Sequence, residues 1–178
     1  SQAEGFIVIT GGIGTGKTTV ANSLLEEIED DIAAAQIVTP KLSPDELVKM
    51  VASKFDIPTE GRSKADILKA LEIFLYDLNK AGRRALLLVD EAQNLPLETI
   101  EELRMLSNFQ LNGKPLIQSF LLGQEELQPI LRAPNMEQFR QRIVASCHLA
   151  PLSLEECKEY IEYRLHHAGW NGSRLFRE

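Results

Sequence analysis

The chain alternates between two kinds of block: short continuous apolar runs, and longer stretches whose apolar residues recur every three or four positions. "GFIVIT" (5–10) is of the first kind and predicts a buried strand. A glycine-rich turn follows, then a helix over about Lys17–Glu29, and "AAAQIVT" (33–39) predicts a second strand. Ser43-Pro44-Asp45-Glu46 marks a helix start: Ser43 can cap, Pro44 suits the first turn, and Glu46 completes a capping box. Leu47, Met50 and Val51 give that helix its apolar face. Leu68, Leu71, Phe74, Leu75 and Leu78 stand at helical spacing within a longer helix, about 63–80. "RALLLVD" (84–90) does not alternate, so it predicts a strand covered on both faces.

The second half repeats the pattern. A helix is expected over about 98–109, a strand at "PLIQSFLLG" (115–123), and a helical "EELQPILRA" interrupted by Pro129. A short helix near Met136–Arg142 precedes a strand at "IVASCHLA" (143–150). The last helix, 153–168, opens on a second capping box, Ser153 with Glu156, and closes at Gly169. Strands alternating with helices, without an internal repeat, imply an α/β fold in which helices cover both faces of a parallel sheet.

Composition bounds the picture without sharpening it. With 178 residues, 44% hydrophobic and 25% charged, the chain is neither disordered nor low in complexity, and it holds one domain with room for little more. A formal net charge of −7 speaks against a sheath for nucleic acid, although a local basic groove stays open. The apolar runs are too short to span a bilayer, and no signal-peptide pattern precedes the first strand, so a cytoplasmic location is expected. Cys147 and Cys157 lack CxxC spacing or a ligand set and are expected to be reduced thiols, not a disulfide.

Chemistry enters at "GGIGTGKTT". Gly11-x4-Gly16-Lys17-Thr18 is the complete P-loop pattern, set between a predicted strand and a predicted helix. Backbone N–H groups of Gly11, Gly12, Ile13, Gly14, Thr15, Gly16, Lys17, Thr18 and Thr19 are expected to cradle phosphates, helped by the helix N-terminus. Lys17 would reach the β- and γ-phosphates of ATP, and the Thr18 hydroxyl would bind Mg²⁺. The bland alternative, a glycine turn beside an unrelated lysine, does not account for the full spacing in this context.

Asp90 and Glu91 end the non-alternating strand. After a P-loop, an aspartate there holds Mg²⁺, and a neighbouring acid can act as general base on an attacking water. A small-molecule kinase needs no such second acid, so Glu91 leans toward hydrolysis. The competing reading is that the pair only caps the next helix. Gln124 ends the following strand, at the sheet edge where ligands bind. There it could align water or report the γ-phosphate; a helix-capping or solvated glutamine is the alternative. Arg140 and Arg142 precede the last strand and could reach a neighbouring subunit's γ-phosphate, with surface ion pairing as the plainer role. Thr39 could hold Glu91 in an inactive orientation. His148, His166 and His167 show no metal-ligand pattern, Arg83 and Arg84 read as solvated, and Trp170 is expected to pack under the last helix.

Taken together, the Gly11–Thr18 loop, "LLLVDEAQNL", "EELRMLSNFQ", "GQEEL" and "RQRI…PLS" resemble AAA+ ATPases of the general secretion pathway protein A group. The likeness extends to ATPases encoded beside exosortase and exopolysaccharide genes, and covers essentially the whole chain. It implies a three-layer αβα sandwich with a five-stranded parallel sheet of order 5-1-4-3-2. A nucleotide-binding core is expected over 1–150 and the first lid helix within 151–178. It further implies Mg-ATP as ligand, a homo-oligomer, and envelope export or secretion proteins as partners, at the inner face of the inner membrane. Asp90 and Glu91 match the Walker B positions, Gln124 sensor 1, and Arg142 or Arg140 the arginine finger.

Two departures matter. Sensor 1 is commonly Asn or Thr, whereas this chain has Gln124. The lid's second sensor arginine has no counterpart after Gly169, which predicts a piece of a longer protein with weak hydrolysis on its own. The competing function is a nucleotide-dependent recruitment switch, DNA-binding as in transposition ATPases of the same group; the charge does not favour it. A small-molecule kinase is weaker still, since no acceptor-binding motif is visible.

Overall fold

The computed structural model describes residues 5–11, 26, 30–38, 41–149 and 154–167, over which elements are numbered here. Seven strands are described: β1 (Phe6–Gly11), β2 (Ile32–Ile37), β3 (Arg84–Val89), β4 (Gln110–Leu111), β5 (Lys114–Pro115), β6 (Ile117–Gly123) and β7 (Ile143–Leu149). The helices are α1 (Pro44–Lys54), α2 (Lys64–Lys80), α3 (Leu97–Leu106), α4 (Leu127–Arg132), α5 (Glu137–Arg140) and α6 (Leu154–His167). The main sheet has the order β2-β3-β6-β1-β7, with every neighbouring pair parallel. Counting its strands along the chain, this is the expected 5-1-4-3-2 read from the other edge.

Strand periodicity divides the core in two. Phe6, Val8, Leu87, Val89 and Leu121 point to one face, where they meet Leu47 and Val51 of α1, Leu71 and Leu75 of α2, and Leu103 of α3. Ile7, Ile9, Leu86, Leu88 and Phe120 point to the other and meet Cys157, Ile161 and Leu165 of α6. β1, β3 and β6 lie inside the sheet and are buried at nearly every position, mostly by apolar residues, with Thr10, Gln118 and Ser119 as buried polar exceptions. β2 and β7, at the edges, carry mixed patterns.

The expected start of α1 is present in full. Glu46 N–H donates to Ser43 Oγ at 3.2 Å, and Ser43 N–H donates to Glu46 Oε1 at 2.9 Å. The bond from the Ser43 backbone N–H, with a smaller contribution from the Ser43 side chain, holds the Glu46 carboxyl below its ordinary value. The capping box expected at Ser153, and the contacts expected of Trp170, lie outside the described residues.

Three expectations change. Residues 110–115 form a small antiparallel hairpin, β4–β5, and the sheet strand expected at 115 starts at Ile117. Its turn is Asn112-Gly113, with φ of 54° and 78°, the positive pair that a two-residue hairpin turn demands. Pro129 does not interrupt its helix. It is the third residue of α4, where its missing N–H falls among amides that have no helical partner anyway. The cysteines are also not the free thiols expected: Cys147 is joined to Cys157 in a disulfide, with Cα atoms 6.1 Å apart. Cys147 sits on β7 and Cys157 in the first half of α6, which packs across that strand. A ten-residue separation carries no motif for such a pair.

One ion pair ties three helices. Lys64 Nζ donates to Glu102 Oε1 at 2.6 Å and lies 3.5 Å from Asp45 Oδ1, joining α2 to α3 and α1. Glu102 is buried and Lys64 partly solvated. The hydrogen bond to Glu102, outweighing the opposing effect of burial, raises the Lys64 pKa; the negative charges of Glu102 and Asp45 add to the rise. The contribution is therefore complete below the unfolded lysine value of about 10.4 and is lost as pH climbs through the higher folded value. Lys64→Met should destabilise the fold at pH 7 by about 1–3 kcal/mol, less than for a fully buried pair because the ammonium is partly in water. Adding Glu102→Met should recover most of that loss. Urea unfolding of the two variants measures it; an effect for Lys64→Met within about 0.5 kcal/mol of zero would mean the bridge contributes nothing.

Candidate functional site

All five strands of the main sheet run in one direction, so their C-terminal ends share one edge. Gly11 ends β1, Asp90 follows β3, and Gly123 ends β6 between them. This edge brings the start of the P-loop pattern, the acidic pair and Gln124 to one side of the sheet. Residues 12–25 and 39–40 lie outside the described set, and with them the cradle expected of Gly12–Thr19, the Lys17 and Thr18 contacts, and the Thr39 role.

Asp90 is buried; its N–H donates to the Ile37 carbonyl at 2.9 Å, which extends the β2–β3 ladder by one bond. Its Oδ1 accepts from the Glu91 N–H at 2.9 Å. Glu91 takes a left-handed backbone conformation, φ 52° and ψ 42°, uncommon for a residue with a side chain. The chain turns there into a single 3₁₀ turn, Ala92–Asn94, anchored by buried Ala92 and Leu95. The acidic pair therefore does not cap a regular helix: α3 starts six residues beyond Glu91, after Pro96.

Sequence reasoning missed Gln93. Its Nε2 donates to Glu91 Oε2 at 2.6 Å, and its Oε1 accepts from the Gln124 N–H at 3.1 Å. A Cβ on Gly123 would stand 2.8 Å from Gln93 Oε1 and 2.9 Å from Leu127 Cδ2, so a side chain there would push the Gln93 carboxamide and the Leu127 side-chain tip aside. Nothing in the spacing of "DEAQ" announces this contact, which depends on β6 lying beside β3.

A second polar group surrounds the end of β1. Thr10, fully buried just before Gly11, accepts from Gln128 Nε2 at 3.0 Å through Oγ1. The same oxygen pairs with His148 Nδ1 at 3.2 Å, and His148 Nε2 faces Glu125 at 3.8 Å. His148 thus has a hydrogen-bonding partner at the end of β1. His167 faces the Tyr163 carbonyl at 3.0 Å within α6. Arg83 is exposed and donates to the Asp31 carbonyl at 3.3 Å; Arg84 is half-buried, so only the first matches the solvated reading.

The two candidate finger arginines differ. Arg140 Nη1 donates to the Leu131 and Ala133 carbonyls at 2.7 and 2.8 Å, capping the end of α4. Arg142 lies where β7 begins, at the opposite sheet edge from Asp90 and Glu91 of the same chain. With Arg104, Gln138 and Gln141 it lines a polar depression of about 420 Å³, and its Nη1 donates to Ser107 Oγ at 3.3 Å.

The donor set suits Mg²⁺, which takes one or two carboxylate or hydroxyl oxygens and fills the rest of its shell with phosphate and water. Asp90 offers one such carboxylate, buried and fixed at a strand end. Among the described residues no group of three or more His, Cys, Asp or Glu forms a closed metal cage.

The AAA domain family matches residues 1–131. The chain belongs to that family. Over 167 residues, 93% of its length, it is 40% identical to general secretion pathway protein A of Aeromonas hydrophila, and it spans 30% of that protein. Solved structures agree on the fold. The ORC2 protein of Aeropyrum pernix, in ADPNP-ADP complexes, superposes with a TM-score of 0.58 at 19% identity, over 92% of this chain and 46% of that one. Cdc6p of Pyrobaculum aerophilum gives 0.61 at 17%, over 91% and 43%. This AAA-domain chain therefore has the mixed α/β, parallel-sheet architecture of those proteins.

Proposed function

We propose that this AAA-domain chain binds and hydrolyses Mg-ATP as part of an oligomer, and that turnover drives or regulates an envelope secretion or exopolysaccharide export system. The observation that carries the reading is the Asp90–Glu91 pair, two acids on the sheet edge where β1 runs into the complete P-loop pattern. Lys17 binds the β- and γ-phosphates, while Thr18 and Asp90 hold Mg²⁺, which supplies charge neutralisation on the phosphates. Glu91 takes the proton of the attacking water, and Gln124 orients that water. Arg142 serves the site of the adjacent copy, since it lies at the far edge from its own.

The similarity to general secretion pathway protein A supports the secretion assignment; a place at the inner face of the inner membrane, through partners, rests on the sequence resemblance alone. No described helix is long and apolar enough to cross a membrane. The exosortase and exopolysaccharide link rests on sequence resemblance. The reading is tested by phosphate release from the intact protein: saturable in ATP and dependent on Mg²⁺ if it holds. Nucleotide binding without release would favour the recruitment switch, and a salt-dependent mobility shift would then add DNA to its partners.

A further inference from the structure

We propose that Gln93 is a positioning residue that holds the base Glu91 in its working orientation and registers it to the end of β6; this rests on the hydrolytic reading above. Its carboxamide uses one end for each task. Oε1 must accept, because its partner is the Gln124 N–H, and Nε2 must donate, because its partner is the Glu91 carboxylate. The reverse orientation would place a donor against a donor and an acceptor against an acceptor, so chemistry alone fixes the bridge.

The bridge matters because of what it joins. Glu91 lies beyond the sheet on a left-handed residue, with no β-ladder bond of its own to fix its side chain. Gln93 ties carboxylate oxygen Oε2 to β6, the central strand that also presents Gln124. The grip engages Oε2, and in this proposal Oε1 is the oxygen that takes the proton of the water. Base and water-orienting residue thereby share one rigid frame, and Gly123 keeps that frame close by lacking a Cβ. A displaced base loses rate steeply, since errors of about 1 Å in a reacting group can cost about 10²-fold.

Gln93→Met preserves length and apolar volume but removes both hydrogen bonds. In the intact protein it should lower kcat by about 10- to 100-fold while leaving KM and ATP binding unchanged. Because Gln93 acts through Glu91, the double variant Glu91→Gln, Gln93→Met should be no slower in single turnover than Glu91→Gln alone. Gly123→Ala, at the end of β6, should reproduce the kcat loss by displacing the carboxamide. An unchanged or raised kcat in Gln93→Met overturns the proposal, the latter by making the bridge a latch. Fully additive losses in the double variant overturn it as well. If Glu91→Gln itself turns over like the parent, it is the base assignment underneath that fails, so the two failures are distinct.

Discussion

Glu91→Gln is expected to reduce phosphate release by about 10²–10⁴-fold, the usual contribution of a positioned general base, while ATP stays bound. The substitution keeps side-chain size and removes basicity, so the left-handed turn and the 3₁₀ segment should survive it. Asp90 remains buried with its carboxylate in place, so Mg²⁺-dependent nucleotide binding should persist. Release of phosphate and retention of labelled ATP, measured on the same samples, check both halves. Parent-like turnover would show that some other group takes the proton.

Arg142→Ala is expected to lower kcat by about 10³-fold or more, the scale of an arginine finger, without changing ATP affinity in the same copy. The reason is positional. Arg142 stands at the start of β7 and the acidic pair at the end of β3, on opposite edges of one sheet. A guanidinium there is remote from its own acidic pair, so the proposed in-trans role requires specific activity of the parent to rise with protein concentration. Arg140→Ala should instead lower the unfolding midpoint, because its guanidinium holds the Leu131 and Ala133 carbonyls at the end of α4. Activity independent of concentration would remove the in-trans role, and an Arg140→Ala loss of kcat at unchanged stability would exchange the two assignments.

Much of the scaffold was legible because single-residue patterns decide it. An unalternating "RALLLV" must be covered on both faces, and β3 lies inside the sheet. Ser43 and Glu46 are close in sequence, so their mutual capping could be read directly. The hairpin at 110–115 was equally readable, since Asn-Gly is its own signal, but the apolar run beside it drew Pro115 into the expected sheet strand. Pro129 reads as a breaker in a helical run, because only the packed chain shows that it falls in the first turn of α4.

The site divides along the same line. Asp90, Glu91 and Gln124 are strand-end residues, which periodicity places at one edge. Gln93 and the Thr10–His148–Gln128 group join residues 31 to 138 positions apart, and they exist only because the strand order sets β6 between β1 and β3 and puts β7 beside β1. The Cys147–Cys157 pair belongs with them: a short separation, but a contact made by packing α6 on β7.

Phosphate release by the intact protein beside its Lys17→Ala variant tests the central claim of ATP hydrolysis most directly. The parent should release phosphate saturably with ATP, stop when Mg²⁺ is chelated, and exceed the variant by a wide margin at every ATP concentration. Equal release from parent and Lys17→Ala, or none from either while ATP remains bound to the parent, would contradict it.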